Sequence, residues 1–519
     1  MIKNPVIPWL LTFVGLSAAP AVSPAITDLL RFANGDQLHG KFMGINDDLL
    51  AVWSREDLSA PSEFKTSQIR QIVLHGARPL KALGSLSYVR LVNGDRVPGT
   101  ITGIDDETVT VDTSYAGVLR IPRKHAAMLA PGPLGGRVAY HGPFIEDEWK
   151  MIHPSFPDGL PPAPAAGAEN NEPDDQPGRW TFSGSAWYWQ SKRPCTALIR
   201  ESGMPDRSVL RFELAWKNQL SLAIAFHADF QKVKPKEDEN RGEEEKKDNP
   251  PKAKAPIRRF MPGDSSGLPA VFGNSNIIQI YSNYMMLIRT HVDKKGQAVA
   301  ERLQMNNEHM RLGDRNHAKV EIRSTRSTGE ISLFIDDEFI AQWEGSKAGD
   351  GADTKADAAT TGFGFLAQGA DSPVRISDIV VSEWNGMPDS ARSLQVDEQD
   401  IVLMTNGTDR FAGKVDGLDS GGKMRFSGKL GEFQFPLEEV AEVRFARKRL
   451  GTAPDAPTDQ VTVRLSPLGS VSGRPLAGDA TAIGIASPIL GNIKVSMEPA
   501  VLLEFNSSNT TIDDWDSDF

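Results

Sequence analysis

The sequence predicts an all-β protein in which a two-sheet β-sandwich is flanked by small β-barrel repeats of the SH3-like or Sm-like size. Three observations lead to this prediction. Short apolar runs alternate with polar residues at period two, between turns supplied by 46 Gly and 35 Pro. Residues 329–384 form a strand-rich stretch without a helix signal. An Asn-Gly-Asp turn recurs along the chain, at 34–36, 93–95 and, with one inserted residue, 406–409.

The stretch 329–384 is predicted to supply the closing strands of the sandwich. Residues 329–340 alternate around an acidic turn, which is typical of a β-hairpin. Residues 374–384 predict a core strand with a bulge at a Ser-Asp step, because the spacing of the apolar residues slips there; these are Val374, Ile376, Ile379 and Val381.

The repeats carry a second pattern of glycines after the turn. Asn and Gly both accept positive φ, so Asn-Gly-Asp between alternating runs predicts a hairpin. The first repeat also has glycines that permit a sharply bent strand, and the second repeat matches them without a gap: Gly35, Gly40 and Gly44 correspond to Gly94, Gly99 and Gly103.

The predicted organisation has the sandwich between two pairs of repeats. The segments are a signal peptide (1–25), unit 1 (26–78), unit 2 (79–150), a Pro-rich linker (151–178), the sandwich (179–387) with a disordered charged insert (231–262), unit 3 (395–450), a degenerate unit 4 (458–508) and an acidic tail (509–519). Each unit is expected to contain about five short strands.

Composition and the N-terminus favour export. The 57 Lys and Arg against 68 Asp and Glu give a net charge of −11, which argues against binding to nucleic acid or an anionic membrane. Lys3, an apolar run over 6–16 and small residues at 19–25 are typical of a cleaved leader, so no membrane span is expected in the mature protein. Periplasmic, cell-surface or extracellular locations are all consistent with such a leader.

Cys195 is the single cysteine, so an intramolecular disulfide cannot form. An exported fold without disulfides has to be stabilised by packing, and this pattern is typical of a bacterial envelope protein. For Cys195 itself, a partly buried packing role is favoured over a nucleophilic one.

Residues 179–385 resemble the concanavalin-like lectin/glucanase jelly rolls, in particular the laminin-G-like and 3-keto-disaccharide hydrolase type domains. The resemblance rests on the hairpin 329–338, on Gly362-Phe363-Gly364-Phe365 and on the terminal strand 375–381, with Asp337 standing where these domains usually have Gly. It implies a fold more than an activity. The flanking units resemble small β-barrel repeats found beside such domains.

No catalytic residue is assigned from the sequence. Glycosidases on this jelly roll use a Glu-x-Asp-x-x-Glu pattern, which is absent; the acidic runs 146–148 and 336–338 fall in predicted turns, where a solvated loop is the simpler interpretation. No cofactor is predicted. Calcium has no motif here, although Asp336, Asp337, Asn274 and Asn276 are oxygen donors of the kind it prefers. His291, His309 and His317 lack zinc spacing.

The candidate ligand-binding residues are Trp187, Trp189, Asp336 and Asp337. Aromatic faces stack on sugar rings, and strand alternation places Trp187 and Trp189 on one face with Tyr188 on the other. Two interpretations stay open for the Trp pair: a core position, which is favoured, or an exposed platform for sugar.

Two functions from different classes follow. The preferred hypothesis is a non-catalytic envelope or extracellular protein whose sandwich binds a glycan or an envelope protein, with the units as spacers or interaction modules. The alternative is a glycoside-processing enzyme, which the hydrolase resemblance allows but which needs two placed carboxylates. The sequence does not indicate an oligomeric state.

Overall fold

A computed structural model describes residues 27–74, 79–84, 87–132, 135–156, 159–160, 176–231, 267–292, 298–306, 312–336, 338–343, 361–368, 372–384, 397–406 and 408–506. Over these residues the chain forms 36 strands, one short α-helix and five 3-10 turns. The all-β prediction is therefore confirmed. The predicted leader, nearly all of the charged insert, the acidic tail, His309 and Asp337 lie outside the described residues.

The first two units supply the first eleven strands. Unit 1 forms β1 (Asp28–Phe32), β2 (Gln37–Ile45), β3 (Leu50–Ser54), β4 (Ser62–Lys65) and β5 (Ile69–Val73). Unit 2 forms β6 (Tyr88–Leu91), β7 (Arg96–Pro98), β8 (Thr100–Ile104), β9 (Thr108–Thr113), β10 (Gly117–Pro122) and β11 (Ala126–Ala130). A 3-10 turn precedes the last strand of each unit, Thr66–Gln68 in unit 1 and Arg123–His125 in unit 2.

The sandwich strands follow in the chain. They are β12 (Gly135–Gly142), β13 (Lys150–Ile152), β14 (Thr181–Phe182), β15 (Ala186–Trp189), β16 (Ala197–Met204), β17 (Arg207–Trp216), β18 (Ser221–Ala228), β19 (Ser275–Tyr281), β20 (Met285–Val292), β21 (Ala298–Asn306), β22 (His317–Thr325), β23 (Ile331–Ile335), β24 (Glu338–Trp343), β25 (Thr361–Ala367) and β26 (Val374–Trp384). The helix α1 (Leu268–Phe272) precedes β19, and a 3-10 turn, Glu146–Glu148, precedes β13.

These strands form two antiparallel sheets, as predicted. Sheet 1 has the order β14-β15-β26-β17-β22-β23-β24, with β12 also paired to β26. Sheet 2 has the order β13-β16-β25-β18-β19-β20-β21. One apolar core lies between the sheets and contains Phe212 and Ile376 from sheet 1 and Phe226, Phe363 and Phe365 from sheet 2.

The predicted hairpin and the predicted bulge are both confirmed. β23 pairs antiparallel with β24, and Asp336, which follows β23, has a φ of +51°. The register between β17 and β26 shifts between Arg211 and Glu213, opposite Asp378, whose φ is +47°. The bulge turns the side chain of Asp378 to the outer face of sheet 1, while Ile376 and Ile379 stay in the core.

The start of the sandwich corrects the predicted boundaries. Residues 135–152, which the sequence assigns to unit 2 and the linker, pair with sandwich strands: β12 with β26 and β13 with β16. The sequence pattern is weak here because Gly142 and Pro143 interrupt the first run and β13 is only three residues long.

Units 3 and 4 supply the remaining strands. Unit 3 forms β27 (Asp400–Met404), β28 (Arg410–Leu418), β29 (Lys423–Gly428), β30 (Gly431–Pro436) and β31 (Val440–Arg444), with 3-10 turns at Leu437–Glu439 and Arg447–Arg449. Unit 4 forms β32 (Val461–Leu465), β33 (Gly469–Asp479), β34 (Ala482–Ser487), β35 (Gly491–Ser496) and β36 (Ala500–Phe505).

The units associate in a nested order. Units 1 and 4 share one apolar core, and units 2 and 3 share another. In each pair the final strands meet antiparallel: β5 pairs with β36, and β11 pairs with β31. A single pairing between β33 and β7 joins the two pairs into one 18-stranded hydrogen-bonded network, while β8, β9 and β10 of unit 2 form a separate three-stranded sheet.

The units cover the outer face of sheet 1. The Gln71 side chain donates a hydrogen bond to the carbonyl of Ser183, Arg31 donates to the carbonyl of Phe182 at 3.2 Å, and Arg96 pairs with Asp378. The units therefore pack directly against the sandwich, and their interpretation as spacers or interaction modules stays a prediction. The interface between the sandwich and the units contains charged side chains, including Arg96 and Asp378.

Candidate functional site

The Trp pair of β15 lies in the sandwich core. Trp187 and Trp189 are each 1% exposed and contact the same apolar cluster, whereas Tyr188 packs on the opposite face against Ala186 and Ala215. The predicted alternation is confirmed, and so is the favoured core interpretation. The platform interpretation is wrong, because neither indole presents a ring face to solvent.

Aromatic neighbours enclose both indoles. The ring centroids of Phe182 and Trp187 are 4.9 Å apart, and those of Trp180 and Trp189 are 5.7 Å apart. β15 is paired with β14 on one side and β26 on the other, so its inward side chains point between the two sheets. The strand directly follows the linker, and for this reason the sequence allowed an exposed edge position.

Asp336 is the predicted site residue that reaches a groove. Its carboxylate accepts hydrogen bonds from Arg315 Nη1 at 2.7 Å and from the backbone N–H of Lys319 at 2.8 Å. Asp337, the other predicted carboxylate of this turn, lies outside the described residues. Of this pair, the structure therefore places Asp336 only, and its role in ligand binding stays a prediction.

The other predicted oxygen donors have structural partners. Asn274 Oδ1 accepts a hydrogen bond from the backbone of Val292 at 2.7 Å, and Asn276 Oδ1 accepts one from Arg289 at 3.3 Å. Both lie at the start of β19 in sheet 2, whereas Asp336 follows β23 in sheet 1. In the part of the chain that the structure describes, no three His, Cys, Asp or Glu side chains cluster as a metal site would require.

The acidic run 146–148 is a turn, as predicted. Glu148 lies 3.7 Å from the guanidinium of Arg200, and burial raises the pKa of Glu146. Cys195 is 3% exposed and packs in the sandwich core, in line with its predicted packing role.

The first charged cluster of the interface is centred on Asp378. Its carboxylate pairs with Arg96 of unit 2 and lies 3.5 Å from Nε2 of His141. Burial opposes ionisation of Asp378, but Arg96 and the hydrogen bond from His141 outweigh it and hold the pKa well below its usual value. Burial also lowers the pKa of His141. The carboxylate of Asp378 is therefore ionised, and its partners at the interface are Arg96 and His141.

The second charged cluster lies where β22 and unit 3 face each other across one cavity. Glu321 accepts hydrogen bonds from Arg211 Nε at 2.9 Å and Arg323 Nε at 2.7 Å, and Arg444 Nε donates to Glu442 at 2.7 Å. Burial raises the pKa of Glu321, but the two guanidiniums lower it overall to about 2. This cluster surrounds an inner cavity of about 40 Å³ that is also lined by Arg90, Arg96 and Lys319.

A larger groove opens beside the inner cavity. Its volume is about 430 Å³, and its walls come from the β6–β7 turn of unit 2, the segment after unit 3 and the β22–β24 edge of sheet 1. Arg90 and Lys319 line both spaces, so the two adjoin. The groove lining consists of Arg90, Leu91, Val92, Gly94, Ala127, Lys319, Asp336, Leu450, Gly451 and Ala453.

Sequence reasoning missed Arg90 and Lys319. Lys319, Glu321 and Arg323 alternate with the core residues of β22, a pattern that normally indicates a solvated face. Here that face is covered by units 2 and 3. A signal did exist, because three consecutive outward positions carry charges of alternating sign, which favours pairing across an interface over simple solvation.

The comparisons with known proteins give folds but no family. Neither a scan against protein-family models nor a search of curated proteins finds a match. Among the described residues no helix has the length and apolar character needed to cross a membrane.

Solved structures show weak likeness. A Bacillus subtilis protein of unknown function with a galectin-like fold is 13% identical and covers 48% of this chain and 97% of its own, with a TM-score of 0.27. The carbohydrate-binding module CBM66 from Bacillus subtilis is 9% identical. The match covers 40% of this chain and 92% of the module, with a TM-score of 0.22. The exoplasmic/lumenal domain of VIP36, bound to Ca²⁺ and Man3GlcNAc, is 10% identical. The match covers 47% of this chain and 87% of that domain, with a TM-score of 0.26. At such scores the likeness carries no argument about the ligand.

Proposed function

We propose that this chain is an exported, non-catalytic binding protein of the bacterial envelope or extracellular space, and that it holds a glycan in the groove between sheet 1 and the units. The observation that carries the proposal is the groove itself. Its volume of about 430 Å³ lies within the range of small-ligand sites, roughly 300–1,000 Å³. Asp336, a ligand-binding candidate from the sequence, forms part of its wall.

The chemistry of the lining favours a sugar over a protein partner. Arg90 and Lys319 are hydrogen-bond donors, Asp336 is an acceptor, and the half-buried Val92 and Leu450 provide apolar contact. Sugars present hydroxyl groups around apolar ring faces and fit such a mixed lining. A protein partner usually needs a broader surface, since stable interfaces bury about 800 Å² on each side.

The carboxylates support binding rather than hydrolysis. Asp336 is the one carboxylate among the described residues of the groove lining, whereas glycoside hydrolysis ordinarily uses two, about 5–10 Å apart. Asp336 already accepts hydrogen bonds from Arg315 and the Lys319 backbone. These contacts fix its orientation for recognising a hydroxyl group.

Glycan-array screening followed by calorimetry on the full chain tests the proposal. Asp336→Asn keeps the side-chain shape but removes the charge, and we expect it to weaken binding of the best glycan by at least ~10-fold. Asp106→Asn is the matched control, because that carboxylate is 78% exposed and lies outside the groove lining.

Two results would overturn the proposal. One is an array on which no glycan is retained, and the other is an Asp336→Asn variant that binds as tightly as the wild type. Chromatography of the glycan after incubation tests the non-catalytic part, since shortened products would show hydrolysis.

A further inference from the structure

Each unit carries an apolar residue at the tip of one equivalent hairpin. The hairpins are β3–β4, β9–β10, β29–β30 and β34–β35, and their tip residues are Leu58, Tyr115, Leu430 and Ile489. Tyr115 of unit 2 and Ile489 of unit 4 are only 4% and 6% exposed. Leu58 of unit 1 and Leu430 of unit 3 are 45% and 85% exposed. Two of the four tips are therefore buried, and two are open to solvent.

The two buried tips are exchanged between units 2 and 4. Tyr115 of unit 2 packs in the core that units 1 and 4 share, and its carbonyl accepts a hydrogen bond from the N–H of Ser496 at 2.8 Å. Ile489 of unit 4 packs in the core that units 2 and 3 share. Units 2 and 4 thus bind each other reciprocally with the same structural element.

The strand pairing between units 2 and 4 also joins equivalent residues. Arg96 in β7 pairs antiparallel with Ser470 in β33. Each of these residues lies three positions before a glycine, Gly99 or Gly473, at which a Cβ would collide with the backbone of the neighbouring strand. Because equivalent residues meet in an antiparallel pair, the contact between units 2 and 4 has approximate two-fold symmetry.

The equivalent strand edge of unit 3 is open. Gly413 is the corresponding glycine of unit 3, so Arg410 occupies the position of Arg96. In unit 2 this edge is paired on both sides, since β7 lies between β6 and β33. Among the described strands, residues 410–412 of β28 are paired on one side only, with β27.

An aromatic surface of unit 3 lies in the same region. Phe433 belongs to the hairpin that carries Leu430, and its ring centroid is 5.3 Å from that of Phe411. Both rings are half-buried, whereas Val97, which takes the position of Phe411 in unit 2, is fully buried. Apolar surface that remains exposed in this way is typical of a protein association site.

We propose that unit 3 docks on unit 3 of a second copy of this chain, and so repeats the contact of units 2 and 4 about a true two-fold axis. Leu430 of each copy packs against Phe411 and Phe433 of the other, and the two segments 410–412 pair antiparallel. A second copy is the partner that fits, because the contact inside the chain uses the same tip and the same edge on both sides, as a two-fold interface does.

The association is expected to be weak. Two Arg410 side chains lie opposite each other at the axis, and like charges in directly opposite positions disfavour strand pairing. The contact also involves one face of a small unit, which is less surface than most permanent dimers bury. We therefore expect a dissociation constant on the order of 10 µM.

Sedimentation velocity on the full chain, from about 1 to about 200 µM, tests this expectation. Leu430→Asp should weaken dimerisation by at least ~10-fold, because it places a carboxylate in an apolar contact. In dilute, monomeric solution the variant should keep the wild-type melting temperature, since Leu430 is 85% exposed there. The matched control is Leu58→Asp, which changes the exposed tip of unit 1 and should dimerise like the wild type.

Cross-linking tests the pairing register. The proposed axis sets the two copies of residue 410 directly opposite each other, about 4.5–5.5 Å apart, so Arg410→Cys should form a covalent dimer under mild oxidation. The exposed Ala412 supplies the control Ala412→Cys, because its two copies would be about 13 Å apart along the strands, too far for a disulfide. Cys195 is buried in the sandwich and does not compete.

Three results would overturn the proposal. One is a wild type that stays monomeric over the whole concentration range. Another is a Leu58→Asp variant that loses dimerisation as fully as Leu430→Asp, which would indicate a head-to-tail contact between units 3 and 1. The third is equal cross-linking of Arg410→Cys and Ala412→Cys, which would exclude the strand pairing. None of these substitutions lies in the described lining of the groove, so the outcome is independent of glycan binding.

Discussion

Burial determines the role of the aromatic residues in β15. Trp187 and Trp189 contact the core rather than solvent, so we expect Trp187→Ala or Trp189→Ala to lower the free energy of unfolding by about 3–5 kcal/mol. Glycan affinity of the remaining folded protein should not change, because neither residue lines the groove. Urea denaturation and calorimetry measure the two effects separately.

Leu430→Ala is the control for these truncations. Leu430 is 85% exposed, so the same kind of apolar truncation should cost less than about 0.5 kcal/mol. If a Trp variant were as stable as this control and had lost its glycan, the indoles would have to be part of a binding surface.

At the residue scale, sequence reasoning reached one part of the candidate site. Asp336 was found because an acidic hairpin turn is a local feature, and its position on the groove wall follows from the turn. Arg90 and Lys319 were not found, because each belongs to a strand that looks ordinary by itself. They become a pair only when unit 2 packs on sheet 1, and no local pattern specifies that contact.

At the scale of single elements, the glycine after each Asn-Gly-Asp turn permits close strand crossing. In unit 1, a Cβ on Gly40 would lie 2.6 Å from the carbonyl oxygen of Ser54 in β3. We therefore expect Gly40→Ala to destabilise the protein by about 1–3 kcal/mol, because the strand would have to shift. Chemical denaturation measures this loss.

Gly84→Ala is the matched control for Gly40→Ala. Among the described residues, no atom beyond the chain neighbours of Gly84 lies within 4 Å of a Cβ built there, so this change should cost no more than about 0.5 kcal/mol. Equal effects of the two substitutions would contradict the close-crossing explanation and indicate a general effect of replacing glycine.

Elements with strong local chemistry were predicted well. The hairpin of β23 and β24 has a short acidic turn, and the bulge in β26 is visible as a slip in apolar spacing around Asp378. β12 and β13 were missed, because one contains irregular pairing and the other has only three residues. Short strands of this kind are specified by the sheet edge that receives them.

At the scale of the whole molecule, the nested pairing of the units is the feature that could not be predicted from the sequence. All four units present similar alternating strands, so local pattern fits several pairings equally well. The observed one places β5 on β36 and β11 on β31, joining strands that are far apart in the chain. This arrangement forms the surface that receives sheet 1, and the groove exists because of it.

The charged interface also determines how this assembly responds to acid. The pKa of Asp378 is lowered, so its contribution is fully present above the unfolded value of 3.8 and is lost as pH falls through the lower folded value. The pKa of His141 is also lowered from 6.5, so the unfolded state binds its proton first. Both groups therefore make the assembly less stable as pH falls.

Asp378→Asn tests whether this interface holds sandwich and units together. The substitution leaves Arg96 buried without its carboxylate, so we expect a loss of about 3–5 kcal/mol. Calorimetry should then resolve two unfolding transitions where we expect one for the wild type, and the stability of the variant should depend less on pH below the unfolded value of 3.8. Glu201→Gln is the control: it breaks an exposed pair with Lys150 and should cost under about 1 kcal/mol. A single transition near the wild-type temperature would show that the Asp378 pair is not needed to hold the two parts together.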